Sequence, residues 1–153
     1  ILKQLFKDTD IFSLPEAQKQ ELELLGNNQK AILVVLRVTE WNQAMHTFLG
    51  KILGAVQVNV DEDTHCLNIT NHASISFSQL HQKHPYQRVI CFGLKPKELG
   101  LNIEETMYRP FTLSDVQWLF AHNLQTIYEE RQEGKKQMAG ALWKALKEMF
   151  ELV

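Results

Sequence analysis

Ala31-Ile32-Leu33-Val34-Val35-Leu36-Arg37-Val38 is a continuous apolar run, rich in β-branched residues. A strand with water on one side alternates apolar and polar residues. A run without alternation is buried on both faces, which is the mark of an interior strand in a parallel sheet. Parallel strands need a crossover between them, and the following residues supply one. Thr39 is placed to cap a helix, and Trp41, Ala44, Met45, Phe48, Leu49, Ile52 and Leu53 recur at helical spacing. Gly54 closes that helix, and Val56-Gln57-Val58-Asn59-Val60 alternates as a second strand, completing a βαβ unit.

Upstream, Ser13-Leu14-Pro15-Glu16 is a helix-start signal: Ser13 caps, Pro15 suits an early helical position, and Glu16 closes a capping box. That helix is expected to run to about residue 25, ended by Gly26-Asn27-Asn28. Ahead of it, Ile1, Leu2, Leu5 and Phe6 fall at helical spacing before a polar break. Residues 1–12 read as a short amphipathic helix, an appendage that either packs on the body or protrudes, and residues 13–153 form one α/β domain.

Downstream, the pattern weakens after the acidic turn Asp61-Glu62-Asp63 and stays weak through Asn71. Ser76-Phe77-Ser78-Gln79 opens a short helix that ends near His84-Pro85. Arg88-Val89-Ile90-Cys91-Phe92-Gly93 is a third strand, followed by a loop with one helical turn at Pro96–Leu99. Residues 109–113 and 116–121 flank Ser114-Asp115 as a hairpin, and residues 124–130 are helical. Met138, Leu142, Ala145, Leu146, Met149, Phe150 and Val153 make the apolar stripe of a long last helix. This order predicts a three-layer α/β/α sandwich with a mostly parallel central sheet.

Composition narrows the function only by exclusion. The chain has 153 residues, 44% hydrophobic and 22% charged, which excludes wholesale disorder. Sixteen Lys+Arg against eighteen Asp+Glu leave a net charge of -2, which argues against strong direct nucleic-acid binding through bulk charge. No stretch approaches ~18 consecutive apolar residues, so no membrane partner is expected. The first segment is charged and lacks the apolar stretch of a signal peptide. Cys66 and Cys91 form no CxxC pair, which fits a reduced, cytoplasmic setting.

Candidate chemistry is sparse. No GxGxxG or GxxxxGK[ST] occurs, so a glycine-rich phosphate cradle is not expected. The loop Phe92-Gly93-Leu94-Lys95-Pro96 is the better candidate for a ligand, with Phe92, Gly93 and Lys95 as its residues. His122 follows the last strand, where a catalytic group can project. His81 and His84 share a helix face but lack a third ligand, and read as solvated surface residues; no metal and no cofactor is expected. Asp61, Glu62 and Asp63 read as a solvated loop. Cys91, inside an apolar strand, reads as an inert core residue. Lys135, Lys136, Lys144 and Lys147 interleave with Glu residues, which suits salt bridging on a wet face.

The second half carries more than a generic pattern. Phe92-Gly93-Leu94-x-Pro96, Phe111-Thr112-Leu113-Ser114-Asp115, Leu119-Phe120-Ala121-His122-Asn123-Leu124 and Ala141-Leu142-Trp143-x-Ala145-Leu146 follow one another in an order that resembles the psi subunit of bacterial DNA polymerase III. The likeness spans roughly residues 30–150, mostly at apolar positions. It implies a uracil-DNA-glycosylase-like fold without catalysis, acting as an adaptor in the clamp-loader complex. By this resemblance the body binds the chi subunit and an N-terminal tail docks on the tau/gamma subunits. Leu2, Leu5 and Phe6 would be the tail's anchors, although the tryptophan expected of such a tail is missing here. The alternatives are a glycosylase-like DNA repair enzyme and a nucleotide-binding domain of the same fold. A glycosylase would place a glycine- and proline-shaped loop after the first strand, where this chain has Thr39-Glu40-Trp41-Asn42, and a His-Pro-Ser-like loop after the last, where it keeps only His122.

Overall fold

A computed structural model describes residues 24–38, 42–69, 76–101, 103 and 107–150. The appendage, with Leu2, Leu5 and Phe6, and the helix expected from Ser13 to residue 23 lie outside the described residues, as do Thr39, Glu40 and Trp41. The strands are β1 (Ile32–Leu36), β2 (Thr64–Asn68), β3 (Arg88–Phe92), β4 (Phe111–Leu113) and β5 (Val116–Ala121). The helices are α1 (Gln43–Gly54), α2 (Phe77–Lys83), α3 (Leu124–Gln132) and α4 (Gln137–Met149), with a 3-10 turn at Pro96–Leu99. The chain is an α/β fold with a mixed, mostly parallel sheet in the order β2-β1-β3-β5-β4. Of these strands only the β4–β5 pair is antiparallel; the other pairs among the described residues are parallel, apart from a single antiparallel bridge of Leu25 to Cys66.

The apolar run does what its composition demands. All five residues of β1 are at most 1% exposed. Ile32, Val34 and Leu36 point into one core, together with Ile90, Phe92, Leu119 and the buried stripes of α1, α3 and α4. Leu33 and Val35 point into a second core on the opposite face, with Val89, Cys91, Trp118, Phe120 and the α2 residues Phe77 and Leu80. The chain leaves β1 for β2 on one side, then crosses back to β3 on the other. Right-handed crossovers in opposite directions place α1 and α2 on opposite faces.

Three local expectations are corrected. The α1 cap is Asn42, whose Oδ1 accepts the Met45 N–H at 3.0 Å, in place of Thr39. The helix ends at Gly54, as expected, but the residues after it stay turned: Gln57 stands at φ 63°, with the Val58 N–H bonded back to the Leu53 carbonyl at 3.0 Å. This left-handed residue breaks the strand expected at residues 56–60. Val56, Val58 and Val60 are still buried, but as plugs under the α1 core. The second strand instead lies at Thr64–Asn68, in register Ile32↔Thr64 to Leu36↔Asn68. Its polar residues concealed it.

The third correction lies upstream. The helix expected to reach residue 25 does not do so, because Leu25 pairs antiparallel with Cys66 through two backbone bonds of 3.0 and 2.8 Å. Residues 25–30 run as a strap along the acidic turn, with Asn27 and Gln29 N–H groups donating to the Asp61 and Glu62 carbonyls, each at 2.8 Å. Asp61 and Glu62 are exposed, as a solvated loop implies, but Asp63 is not, and the turn is pinned. Asp63 is buried and accepts the Asn59 N–H, Asp61 meets His46 at 2.9 Å, and Glu62 accepts the Asn27 amide.

The remaining elements match their expected places closely. Ser76 caps α2 by accepting the Gln79 N–H. The hairpin turns at Ser114 and Asp115, both at positive φ. No helix among the described residues is long and apolar enough to cross a membrane.

His81 and His84 are also more than surface residues. His81 Nδ1 accepts the Tyr86 N–H at 3.1 Å and its ring stacks on Phe77. His84 lies edge-on to His65, whose Nδ1 meets the Tyr86 hydroxyl at 2.8 Å. Burial, and then the nearby His84, hold the His65 proton affinity below the ordinary imidazole value. An unfolded chain takes that proton near pH 6.5 while the folded chain resists it. The His65 contribution to stability is therefore full above pH 6.5 and is lost as pH falls through the lowered folded value. Urea midpoints measured from pH 7.5 to 5 are expected to fall, and a His65→Gln variant should fall less. Equal slopes would contradict this.

Candidate functional site

The sheet order reverses between β1 and β3, since β1 leads outward to β2 and the chain returns on the other side. In open α/β sheets such a switch point, at the carboxyl ends of the strands, is where ligands enter. Here the described part of that crevice is occupied by the chain's own side chains. β1 delivers Arg37, whose guanidinium meets Glu98 Oε2 at 2.6 Å. The Arg37 Nε is buried and has no hydrogen-bond acceptor among the described residues. Glu98 belongs to the 3-10 turn, which Pro96 and Leu99 anchor by burial, and its Oε1 accepts the Lys95 N–H at 2.9 Å.

The opposite side of the crevice is the start of α3. Asn123 caps that helix by accepting the Gln125 N–H at 2.9 Å, and its Nδ2 donates to the Arg37 carbonyl at 2.5 Å. One amide thus joins the ends of β1 and β5. Gly93 lies against it at φ 80°, where a Cβ would come within 3.0 Å of the Asn123 Cα. Glycine is needed here both for the left-handed backbone and for the close approach.

The sequence candidates separate around this point. Phe92 is fully buried in the α1 core, and Gly93 is the contact surface for Asn123. Lys95 is exposed on the outer side of the turn. His122 is half-buried, with Nδ1 on the Tyr108 hydroxyl at 2.6 Å. Tyr108 is itself held at φ 62° by a backbone bond to Phe120, and burial raises its hydroxyl above the ordinary value. Cys91 is wholly buried, which drives its thiol well above the usual range, and Cys66 is pushed up to about 12. Neither thiol is activated as a nucleophile. Among the described residues no group of three or more His, Cys, Asp or Glu side chains converges to hold a metal ion.

Nothing in the local sequence marks Arg37 or Glu98 as a pair, because 61 positions separate them and each sits in an ordinary context. Asn123 had a readable signal, as a capping residue directly before Leu124, but only for its cap.

A second concavity lies away from the strand ends. It is a groove of about 620 Å³ between α1 on one side and α3 with α4 on the other. Phe48 and Tyr128 meet edge to face in it, at 5.2 Å between ring centres. Trp143 stands on its rim, 47% exposed, with the Lys147 ammonium 4.1 Å above the ring. The chain matches no protein-family model and no curated protein sequence.

Proposed function

We propose that this chain is a non-catalytic adaptor of the psi-subunit type, acting in DNA replication by protein–protein contacts with clamp-loader subunits. The observation that carries this reading is the bridged switch point. Arg37 pairs with Glu98, and Asn123 divides its amide between the Arg37 carbonyl and the α3 cap, at the place where an enzyme of this architecture would present such groups to substrate. The ordered motifs support it too: Leu119, Phe120, Leu124, Leu142, Ala145 and Leu146 are core residues, whereas Trp143 of the same set faces outward. An outward tryptophan beside an apolar groove suits a contact surface. Helices over both faces of the sheet and the reversal between β1 and β3 fit the three-layer, uracil-DNA-glycosylase-like fold that the resemblance implies.

The test is retention of purified partners. Immobilised chain is expected to hold the chi subunit through its body and the tau/gamma subunits through residues 1–12. Retention of neither would sink the adaptor assignment. Uracil-containing single- and double-stranded DNA should meanwhile be left intact; base release that disappears in His122→Ala would favour a repair enzyme instead.

A further inference from the structure

We propose that the groove between α1 and the α3–α4 pair docks an amphipathic helix of a partner protein whose apolar face is flanked by carboxylates. The proposal deepens the adaptor reading, on which it rests for the existence of a partner, by naming the surface and the chemistry that fits it.

The walls decide the conformation of the occupant. All three are helices, whose backbone groups are bonded internally along their length, and among the described residues no strand edge borders the groove. An extended peptide laid there would leave its own N–H and C=O groups unpaired over an apolar floor. A helix brings its backbone already satisfied, so helix-in-groove recognition is the mode available. The floor is made by Ala44, Phe48 and Ile52 from α1 with Ala139 and Leu142 from α4. Lining positions on α1 run from Gln43 to Ala55, which at 1.5 Å per residue is about 18 Å, or three turns of an occupying helix.

Charge decides the flanks. Among the described residues the ionisable lining groups are Lys51 on one wall, Arg131 on the other and the Tyr128 phenol, with no carboxylate among them. Lys147, parked on Trp143, adds a third cation at the rim. Across α1 the sign reverses: the neighbouring concavity is lined by Asp61 and Asp63 with His46. Lys30 pairs with Asp63 on that side at 3.5 Å, whereas Lys51 and Arg131 face no carboxylate among the described lining residues of the groove. Carboxylates on both flanks of an incoming helix would meet Lys51 and Arg131, while lysines there would be repelled.

The test uses the full chain and two synthetic helical peptides. Each carries leucines at i, i+4, i+7 and i+11; one has glutamates on both flanks of that stripe and its twin has lysines. The glutamate peptide is expected to shift the Trp143 emission to shorter wavelength, absent in Trp143→Phe, with affinity that falls as salt rises. The lysine twin should bind at least about tenfold more weakly. Lys51→Glu/Arg131→Glu, both at exposed positions, should reverse that order while leaving the melting temperature unchanged.

Equal binding of both peptides, or binding of neither, would overturn the proposal. So would concentration-dependent self-association that blocks the peptide, which would make a second copy the occupant. A rise in peptide affinity on Leu5→Glu/Phe6→Glu would assign the groove to the chain's own first segment and overturn it as well. Retention of clamp-loader subunits, measured on wild type and on the double charge reversal, separates the two readings. Subunits held equally by both proteins, with no peptide selectivity, would leave the adaptor standing and remove the groove. Selective peptide binding without subunit retention would do the opposite.

Discussion

Trp118→Ala is expected to cost about 3–5 kcal/mol, the range for truncating a large buried aromatic. Trp118 is 1% exposed and is the largest fully buried side chain. Its ring meets Phe77 of α2 edge-on at 4.6 Å and stacks beside Phe120 at 6.2 Å. Its Nε1 donates to the Leu113 carbonyl at 3.3 Å, and its backbone pairs with Val89 on one side and Phe111 on the other. One residue therefore ties β3, the hairpin and α2 together. A typical domain has only about 5–15 kcal/mol in total, so the loss should take a large part of the stability and lower the urea midpoint to match. Trp118→Phe keeps most of the apolar contact and should cost less than half as much. Trp143→Ala, at the exposed rim, should stay within about 0.5 kcal/mol, as surface substitutions usually do. Similar midpoints for Trp118→Ala and Trp143→Ala would contradict the burial difference.

Gly26→Ala is expected to destabilise by about 2–4 kcal/mol, combining left-handed strain with overpacking. Gly26 sits at φ 108°, and a Cβ there would collide with the Thr64 carbonyl oxygen. Neither partner can step aside. The strap is bonded to the acidic turn, and Thr64 is the first residue of β2, fixed opposite Ile32. Gly134→Ala is the control: it has φ 82° but nothing within 4 Å of the added methyl. That variant should lose only the backbone part, about 1 kcal/mol. Unfolding curves of the two, measured together, isolate the collision. Equal losses would mean that Gly26 matters for its φ alone.

The contrast between β1 and β2 explains how far the fold was legible. β1 is buried on both faces, so every position was forced to be apolar and the strand announced itself. β2 carries Thr64, His65 and Asn68, whose polar groups are used locally: Thr64 Oγ1 donates to the Val60 carbonyl, and Asn68 bonds the Val38 backbone in both directions. Such residues break the apolar pattern without breaking the strand. The opposite error arose at Val56, Val58 and Val60, where alternation correctly gave burial but could not show that Gln57 turns left-handed. Periodicity reports which side chains face inward; it carries no information on φ.

The candidate site was legible in a similar, partial way. Gly93 and His122 were marked by their places at strand ends. The bond from Asn123 to Arg37 joins residues 86 positions apart and depends on strand order, which no local pattern encodes. The groove was hidden for the same reason. Phe48 belongs to an ordinary amphipathic stripe and Trp143 falls outside the stripe of its own helix, and only the packing of α1 beside α3 and α4 brings them to one groove.

Both margins of the sheet are curtailed. Leu25 occupies part of the outer rim of β2, and on the far side β4 is only three residues long and follows Pro110. An open rim is a template on which copies add strand upon strand into fibrils, and short or covered rims suppress this. The same curtailment disfavours strand addition by legitimate partners. Side chains on helices and loops are then the favoured means of contact, and contacts of that kind respond to single charge changes.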